Sequence, residues 1–355
     1  MSKAIELLQQ LIKFDSSDKT VANETIDFCK QWLANEGLTS KIVTNNGFNM
    51  LICEVGQGDK TLVLNGHVDV VSGKATQFDP VIEDSKLYGR GSADMKAGVA
   101  AIMVAISELN QLDLKHTQVQ LQLVTDEEVG GGNCANYLTN EGYLGDFVIC
   151  PEPTQIDIGF QAKGILQIDI ELSGSSAHGS RPWEGVNAIA KAFEVYNQLL
   201  TLPFASESTE FYDGPSINLA KIYGGEVYNK VPDACTLSFD IRYLPTQNKE
   251  QILKEIENIT DGEIHINLEG PPVMNDKDEP YIQQLINTIK QHTNKDEVKL
   301  FGQHGFADTR YFSRFNVPAV DFGPSGNHWH GDGEYVEVES VDNYKDIIVA
   351  FAQNM

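Results

Sequence analysis

An α/β fold built on a mixed sheet, with a smaller α+β domain inserted into it, is the architecture that the sequence predicts. Three observations carry this expectation. Between residues 20 and 160 short apolar runs alternate with helical patterns, the texture of a sheet joined by crossovers. From about Gly164 the texture changes to alternating strands, such as GILQIDIELSG and CTLSFDIRYL, around one helical stretch. After the turn-rich EGPPVMNDKDEP a helix and a strand resume, which continues the first domain beyond an insertion. The expected division is 1–163 with 278–355 for the larger domain, with helices on both faces of its sheet, and 164–277 for the insert.

The elements follow in order. MSKAIELLQQLIKF puts Ile5, Leu8, Leu11 and Ile12 on one helical face and carries Glu6 within it, unlike a signal peptide. NMLICEV, KTLVLNGHV, VQLQLVTD and DFVICPEP read as strands, and His, Asp or Glu closes three of the four. In open α/β sheets the ligand lies beyond the carboxyl ends of the strands, so polar residues gathered there mark a site. The alanine-rich DMKAGVAAIMVAISELN, Asp94 to Asn110, reads as a helix that starts at the same edge. In the insert, WEGVNAIAKAFEVYNQLL is helical and EIHINLEG a further strand. A helix from Tyr281 to His292, the strand PAVDFG and the loop PSGNHWHGDGEY complete the chain.

With 355 residues the chain can bury a sizeable core, and its 41% hydrophobic content is that of a globular protein. Its 51 acidic and 26 basic side chains leave a formal charge of -25. Such a charge repels phosphate backbones and anionic membrane surfaces, so neither nucleic acid nor membrane is expected as a partner. No apolar run is long enough to span a bilayer. The cysteines, Cys29, Cys53, Cys134, Cys150 and Cys235, are odd in number and scattered. They suggest neither a disulfide framework nor a thiolate zinc site, and the expected setting is a reducing cytoplasm.

Several residue sets point to chemistry. In GHVDVV, His67 and Asp69 are two apart, so a carboxylate can hold one ring nitrogen while the other faces a metal. In LYGRGSADMKAG, Asp94 serves as a helix N-cap or as a carboxylate bridging two cations. In TDEEVGGG, the adjacent Glu127 and Glu128 would face different ways at a strand end, one toward a metal and one toward water. The bland reading of that pair is a solvated acidic turn. Glu152 follows a strand in CPEPT, and NHWHGDGEY offers His328 and His330. Together these residues supply the nitrogen and oxygen ligand mix that suits zinc.

GHVDVV, LYGRGSADMKAG, DEEVGGG, PEPT, SSAHGSRPWEGVNAI, GGEVYNKVPDACTLSFDIR and HGDGEYV occur in this order along nearly the whole chain. They resemble the zinc-dependent family that includes acetylornithine deacetylase, succinyl-diaminopimelate desuccinylase, aminoacylase and bacterial glutamate carboxypeptidase. The resemblance implies that His67 and Glu152 hold one Zn2+, that Glu128 and His330 hold another, and that Asp94 bridges them, with Co2+ or Mn2+ as substitutes. His330 rather than His328 is implied because the family's ligand lies four residues before the glutamate that is Glu334 here. Asp69 would orient His67, and Glu127 would be the general base and acid. The insert resembles a lid and dimerisation domain of a homodimer, with His178 reaching the neighbouring subunit's site to polarise the scissile carbonyl. Asn229 and Arg242 match substrate contacts, and Arg310 is a further candidate.

The activity so implied is hydrolysis of an N-acyl amino acid in lysine or arginine biosynthesis. Glu152 leans toward deacylases and carboxypeptidases, because many dipeptidase relatives have aspartate there. In GFADTR, Phe306 replaces the threonine of the Gly-Thr-Ser-Asp run frequent in desuccinylases, which removes a hydroxyl that could meet a substrate carboxylate. The alternatives are a metallo-exopeptidase acting on short peptides and a catalytically silent metal- or ligand-binding protein. Glu127 argues against the silent protein, which has no use for a base.

Overall fold

The computed structural model describes residues 1–305 and 307–355. Phe306, read above as a departure from desuccinylases, lies outside the described residues. The chain forms two compact units. The first holds Met1–Phe160, Asn275–Phe301 and Ala307–Met355; the second holds Gln161–Met274 and a short stretch starting at Gly302.

The first unit is built on a mixed sheet. Its strands lie in the order Ser40–Asn45, Phe48–Val55, Thr117–Val124, Lys60–His67, Phe147–Cys150, Ala319–Asp321 and Ile158–Ala162. The first pair is a hairpin in which Asn45 faces Phe48 across Asn46 and Gly47, both left-handed, as a two-residue turn requires. Thr117–Val124, Lys60–His67, Phe147–Cys150 and Ala319–Asp321 run parallel to their neighbours in this series. Their carboxyl ends therefore share one edge.

Helices cover both faces. A Cβ added at Gly66 would come within 3.0 Å of Val99 on the helix Lys96–Leu109, so even-numbered residues of Lys60–His67 face that helix. Val63 points the opposite way and packs with Phe312 of the helix Thr309–Ser313. Every residue of Lys96–Leu109 except Glu108 is buried, as expected of a helix that is apolar all round. Lys96 is tolerated there because its ammonium donates to Leu11 O at 3.0 Å and Phe14 O at 2.8 Å, at the end of the helix Lys3–Ile12. That first helix buries Ile5, Leu8, Leu11 and Ile12, the face read from the sequence.

The second unit is a four-stranded antiparallel sheet in the order Ser216–Gly224, Ala234–Tyr243, Gly164–Ser173 and Glu263–Gly270. Leu166, Ile168, Ile170 and Leu172 point to one face together with Leu237, Phe239 and Ile241. Val195 and Leu199 of the helix Ala188–Leu199 and Ile252 and Ile256 of the helix Lys249–Glu257 join that core. Asn187 caps the first of these helices, so it starts later than the pattern from Trp183 suggests. The stretch from Gly302 joins this unit because Tyr212 donates to Gln303 O at 3.2 Å and meets the His304 ring edge-on. No side-chain pattern in the sequence announces that attachment. Among the described residues no helix is long and apolar enough to cross a membrane.

Candidate metal centre

Each candidate ligand of the first unit arrives from a different element. His67 ends its strand, Glu127 and Glu128 lie just beyond Thr117–Val124, and Glu152 lies two residues beyond Phe147–Cys150. The two glutamates follow the strand end, as expected, but strand alternation does not set their directions. They form a single 3-10 turn, Glu127–Val129, closed by Gly130. Asp94 precedes Lys96–Leu109 but does not cap it: Met95 holds the cap position and no side chain satisfies the helix start. That leaves the Asp94 carboxylate free for other partners, and the capping role is not the one it fills. His330 comes from the loop between Gly326–Asn327 and Tyr335–Glu337 and has a left-handed backbone.

These side chains converge. Asp94 Oδ1 lies 3.2 Å from His67 Nε2, and Asp94 Oδ2 lies 3.2 Å from His330 Nε2. Glu128 Oε1 is 3.3 Å from His330 Nε2, while Glu152 Oε1 and Glu127 Oε2 are each 3.9 Å from His67 Nε2. Donor atoms of His67, Asp94 and Glu128 all fall within 4.8 Å of one another. His67 Nδ1 is 2.9 Å from the main-chain carbonyl of Asp69, and the Asp69 carboxylate is farther, at 3.6 Å. The carbonyl thus fixes the ring and turns Nε2 toward the centre. The Asp69 carboxylate instead accepts the main-chain N–H of Glu128 at 3.0 Å, tying the two ligand loops together.

Charge in this cluster is unbalanced. Burial opposes protonation of His67, yet Asp94, Asp69, Glu127 and Glu152 raise its pKa well above the ordinary value. Hydrogen bonds to Asp94 and Glu128 push His330 up to about 10. Burial works to raise the Asp94 pKa, but hydrogen bonds from His330 and His67 hold it below the usual carboxylate value. Glu127 and Glu152 are raised well above theirs, by burial first. Asp308 adds to the effect on Glu127 and Asp94 to that on Glu152. Carboxylates in excess over histidines, withdrawn from water, call for compensating cations.

The residues fit a pair of divalent metals. Their donors are imidazole nitrogens and carboxylate oxygens, the set that suits zinc. The two oxygens of Asp94 face different histidines, the disposition of a bridging carboxylate. Glu128 Oε1 is buried and, beyond the His330 ring at 3.3 Å, meets no hydrogen-bond donor among the described residues. A carboxylate oxygen left in that state is expensive unless a cation meets it.

The surrounding support includes residues that the sequence reading passed over. Glu334 Oε1 accepts the N–H groups of Ala93 and Asp94, and its Oε2 accepts from Arg90 at 2.6 Å. Arg90 also donates to His330 O at 3.2 Å. Glu334 served in the sequence only to place His330, and its burial within EYV was the missed signal.

Arg310, a candidate substrate contact, is 2% exposed and donates to Gly130 O at 2.6 Å. In the second unit, His178 and Asn229 lie on adjacent segments. His178 bridges Lys230, and Gly179 N–H donates to Asn229 O at 2.7 Å. Both side chains are exposed. The Ser180 N–H donates to His178 Nδ1 at 3.2 Å, so the neutral ring carries its proton on Nε2. Arg242 is half-buried, and its guanidinium grips Asp240 at 2.7 and 3.3 Å.

Residues 63–354 match peptidase family M20/M25/M40. A "Probable succinyl-diaminopimelate desuccinylase" of Staphylococcus aureus (strain MRSA252) is 28% identical over 392 residues, covering 97% of this chain and 95% of that protein. A LysW-lysine/LysW-ornithine hydrolase of Saccharolobus solfataricus is 30% identical over 329 residues, covering 92% and 88%. Among solved structures, the aminopeptidase PepT of Bacillus cereus matches with a TM-score of 0.85 at 19% identity, over 99% of this chain and 97% of that one. At that identity the last likeness is one of fold.

Proposed function

The chain belongs to peptidase family M20/M25/M40, and from that premise we propose that it is a two-metal hydrolase that cleaves the amide bond of an N-acyl amino acid. One observation supports this above the others: Asp94 offers Oδ1 to the His67 side of the centre and Oδ2 to the His330 side, each at 3.2 Å. His67 and Glu152 would hold one metal, Glu128 and His330 the other, and Asp94 would bridge. When bound, Zn2+, or Co2+ or Mn2+ in its place, supplies Lewis acidity toward a carbonyl and lowers the pKa of water to about 7.

The side chains around that pair have separate tasks. Glu127 is half-buried beside His67 and prefers its proton more than a solvated glutamate does. It is suited to take a proton from the attacking water and to deliver it to the leaving nitrogen. Asp69 and Glu334 keep the ligand loops in register through main-chain N–H groups. His178, with Nε2–H outward, is suited to donate to the oxygen of the tetrahedral adduct. In this proposal it does so from the partner of a homodimer formed through the second unit, whose Phe193, Ile222, Tyr223 and Ile266 are exposed. Asn229 and Arg242 are the proposed substrate contacts. The buried free cysteines suit a reducing cytoplasm.

The curated relatives' names, a desuccinylase and a lysine or ornithine hydrolase, favour an amino-acid substrate of lysine or arginine biosynthesis. The likeness to an aminopeptidase fold supports a second reading, an exopeptidase for short peptides. Turnover of N-succinyl, N-acetyl and dipeptide substrates by the purified zinc-loaded enzyme separates the two. Preference for an N-acyl amino acid supports the proposal, and preference for dipeptides replaces it with the second reading. No hydrolysis of any of them by protein of confirmed metal content would leave only the silent binding protein.

A further inference from the structure

We infer that Arg310 and Tyr311 are positioning residues for the hydrolytic centre, setting the Glu127–Glu128 turn through one main-chain carbonyl, that of Gly130. The inference rests on the proposed function in taking Glu127 as the base and Glu128 as a metal ligand.

The turn is held on one side by Asp126 O, which accepts the N–H groups of Val129 at 3.3 Å and Gly131 at 2.7 Å, and by Asp69, which accepts the N–H of Glu128 at 3.0 Å. Glu127–Val129 is a single 3-10 turn, closed when Gly130 N–H donates to Glu127 O at 2.7 Å. Gly130 and Gly131 follow with φ of 107° and 63°, and Gly132 comes next. Glycines allow that path but do not enforce it. Adjacent carboxylates on so short a turn also repel each other.

A further constraint, on the carbonyl of the glycine that closes the turn, comes from 180 residues later in the chain. Gly130 O accepts from Arg310 Nη2 at 2.6 Å and from the Tyr311 hydroxyl at 2.5 Å. Arg310 Nη2 lies 3.0 Å from the same hydroxyl, and the guanidinium carbon stands 4.4 Å from the Tyr311 ring centre. A carbonyl held by a charged and a neutral donor that also contact each other is firmly placed, because the guanidinium is buried and the bonds reinforce one another. Asp308 limits the turn from the other side: a Cβ at Gly131 would lie 2.3 Å from Asp308 Oδ1.

The clamp is itself anchored to the rest of the centre. Arg310 and Tyr311 sit on Thr309–Ser313, whose Phe312 packs with Val63, Val148 and Cys150. Those residues belong to the strands that end at His67 and lead to Glu152. The same short helix thus holds the Glu128 turn with its polar side chains and the His67 and Glu152 strands with its apolar one. Its role is to fix one half of the metal pair against the other.

Tyr311→Phe tests this, since it removes the hydroxyl and keeps the ring beneath the guanidinium. Co2+ titration of the full chain by calorimetry should show one of two sites weakened about tenfold and the other within about twofold, the size expected for one hydrogen bond. Under the proposed assignment, kcat should fall about tenfold with KM within about twofold. Arg310→Lys, which keeps the charge without the fork, should show the same split. Ile347→Val, at a buried position of the helix Val338–Asn354, serves as a control that lowers stability alone. The inference is overturned if Tyr311→Phe leaves both affinities and kcat unchanged, or if both sites weaken together with the melting temperature. A wild-type chain that binds no Co2+ instead overturns the proposed function. The clamp is then read from hydrogen exchange at the Gly130 amide, which Tyr311→Phe must accelerate at least about fivefold if the clamp exists.

Discussion

Glu334 Oε1 accepts the main-chain N–H of Asp94 at 3.1 Å, so the carboxylate proposed to bridge the metals is aimed by a glutamate 240 residues away. Glu334 is 2% exposed, and its charge is met by Arg90, which is 3% exposed. Burial raises the Glu334 pKa, while the amides of Asp94 and Ala93 and the guanidinium of Arg90 favour its charged form.

Arg90→Met would leave that carboxylate buried without its cation. Removing one partner of a buried pair costs about 3–5 kcal/mol, far more than a surface pair contributes. Urea unfolding of the metal-free protein should register a loss of that order. A change below about 1 kcal/mol, the range of an exposed pair, would show that the pair does not hold the Asp94 loop.

Glu127→Gln should separate binding from chemistry. The amide keeps the side chain's shape and removes its capacity to accept and return a proton. The expected result is a fall in kcat of about 10²–10⁴-fold, the usual contribution of a general acid–base group. Elemental analysis should still find about two metal ions per chain, the content of a two-metal site. Loss of metal in this variant would make Glu127 a ligand and defeat its assignment as the base.

The sequence displays the centre unevenly, and the reason is physical. His67 and Glu152 are legible because parallel strands present their carboxyl ends at one edge, and each strand is a continuous apolar run. The glutamate pair is legible through its glycines. The contacts that hold Asp94, Glu334 and Arg310 are not, because each involves a partner far away in the chain, and no local periodicity records such pairing. Aspartate before an alanine-rich helix reads as a cap as well as a possible bridge between cations, and the position of Met95 at the helix start removes the first reading. The second unit is similar: strand alternation exposes its sheet, whereas the hold of Tyr212 on Gln303 leaves no pattern to read.

Metal removal should make stability depend on pH in a defined direction. Burial raises the Asp308 and Asp321 carboxyls to about 7 each, from 3.8. A carboxyl raised in the folded state binds its proton more tightly there, so its contribution is present below the unfolded value and is lost as pH rises through about 7. His330, raised to about 10 from 6.5 by its carboxylate partners, acts in the same direction above the unfolded value. Asp94 is lowered and acts oppositely, but only at lower pH. With chelator present, the melting temperature should therefore fall between about pH 5.5 and about pH 8. Added Zn2+ should stabilise more at the higher pH, because ligands bind metal in their deprotonated forms. A chelated protein that becomes more stable over that interval would contradict the carboxyl shifts on which this rests.

His178 provides a test of assembly as well as chemistry. Its ring is exposed, its Nδ1 is engaged by Ser180 N–H, and its Nε2–H remains to meet a substrate oxygen. If that oxygen belongs to the partner's site, Glu127→Gln and His178→Ala damage different halves of the same composite centre. In a heterodimer, the site with intact Glu127 receives His178 from the Glu127→Gln chain and is whole, while the other site lacks both groups. Mixing the two inactive variants should then restore turnover in proportion to the heterodimer formed. Should subunit exchange be verified by mass spectrometry without any recovery, His178 would be confined to its own chain or excluded from the reaction. A His178→Ala variant with full activity by itself would remove it from the mechanism altogether.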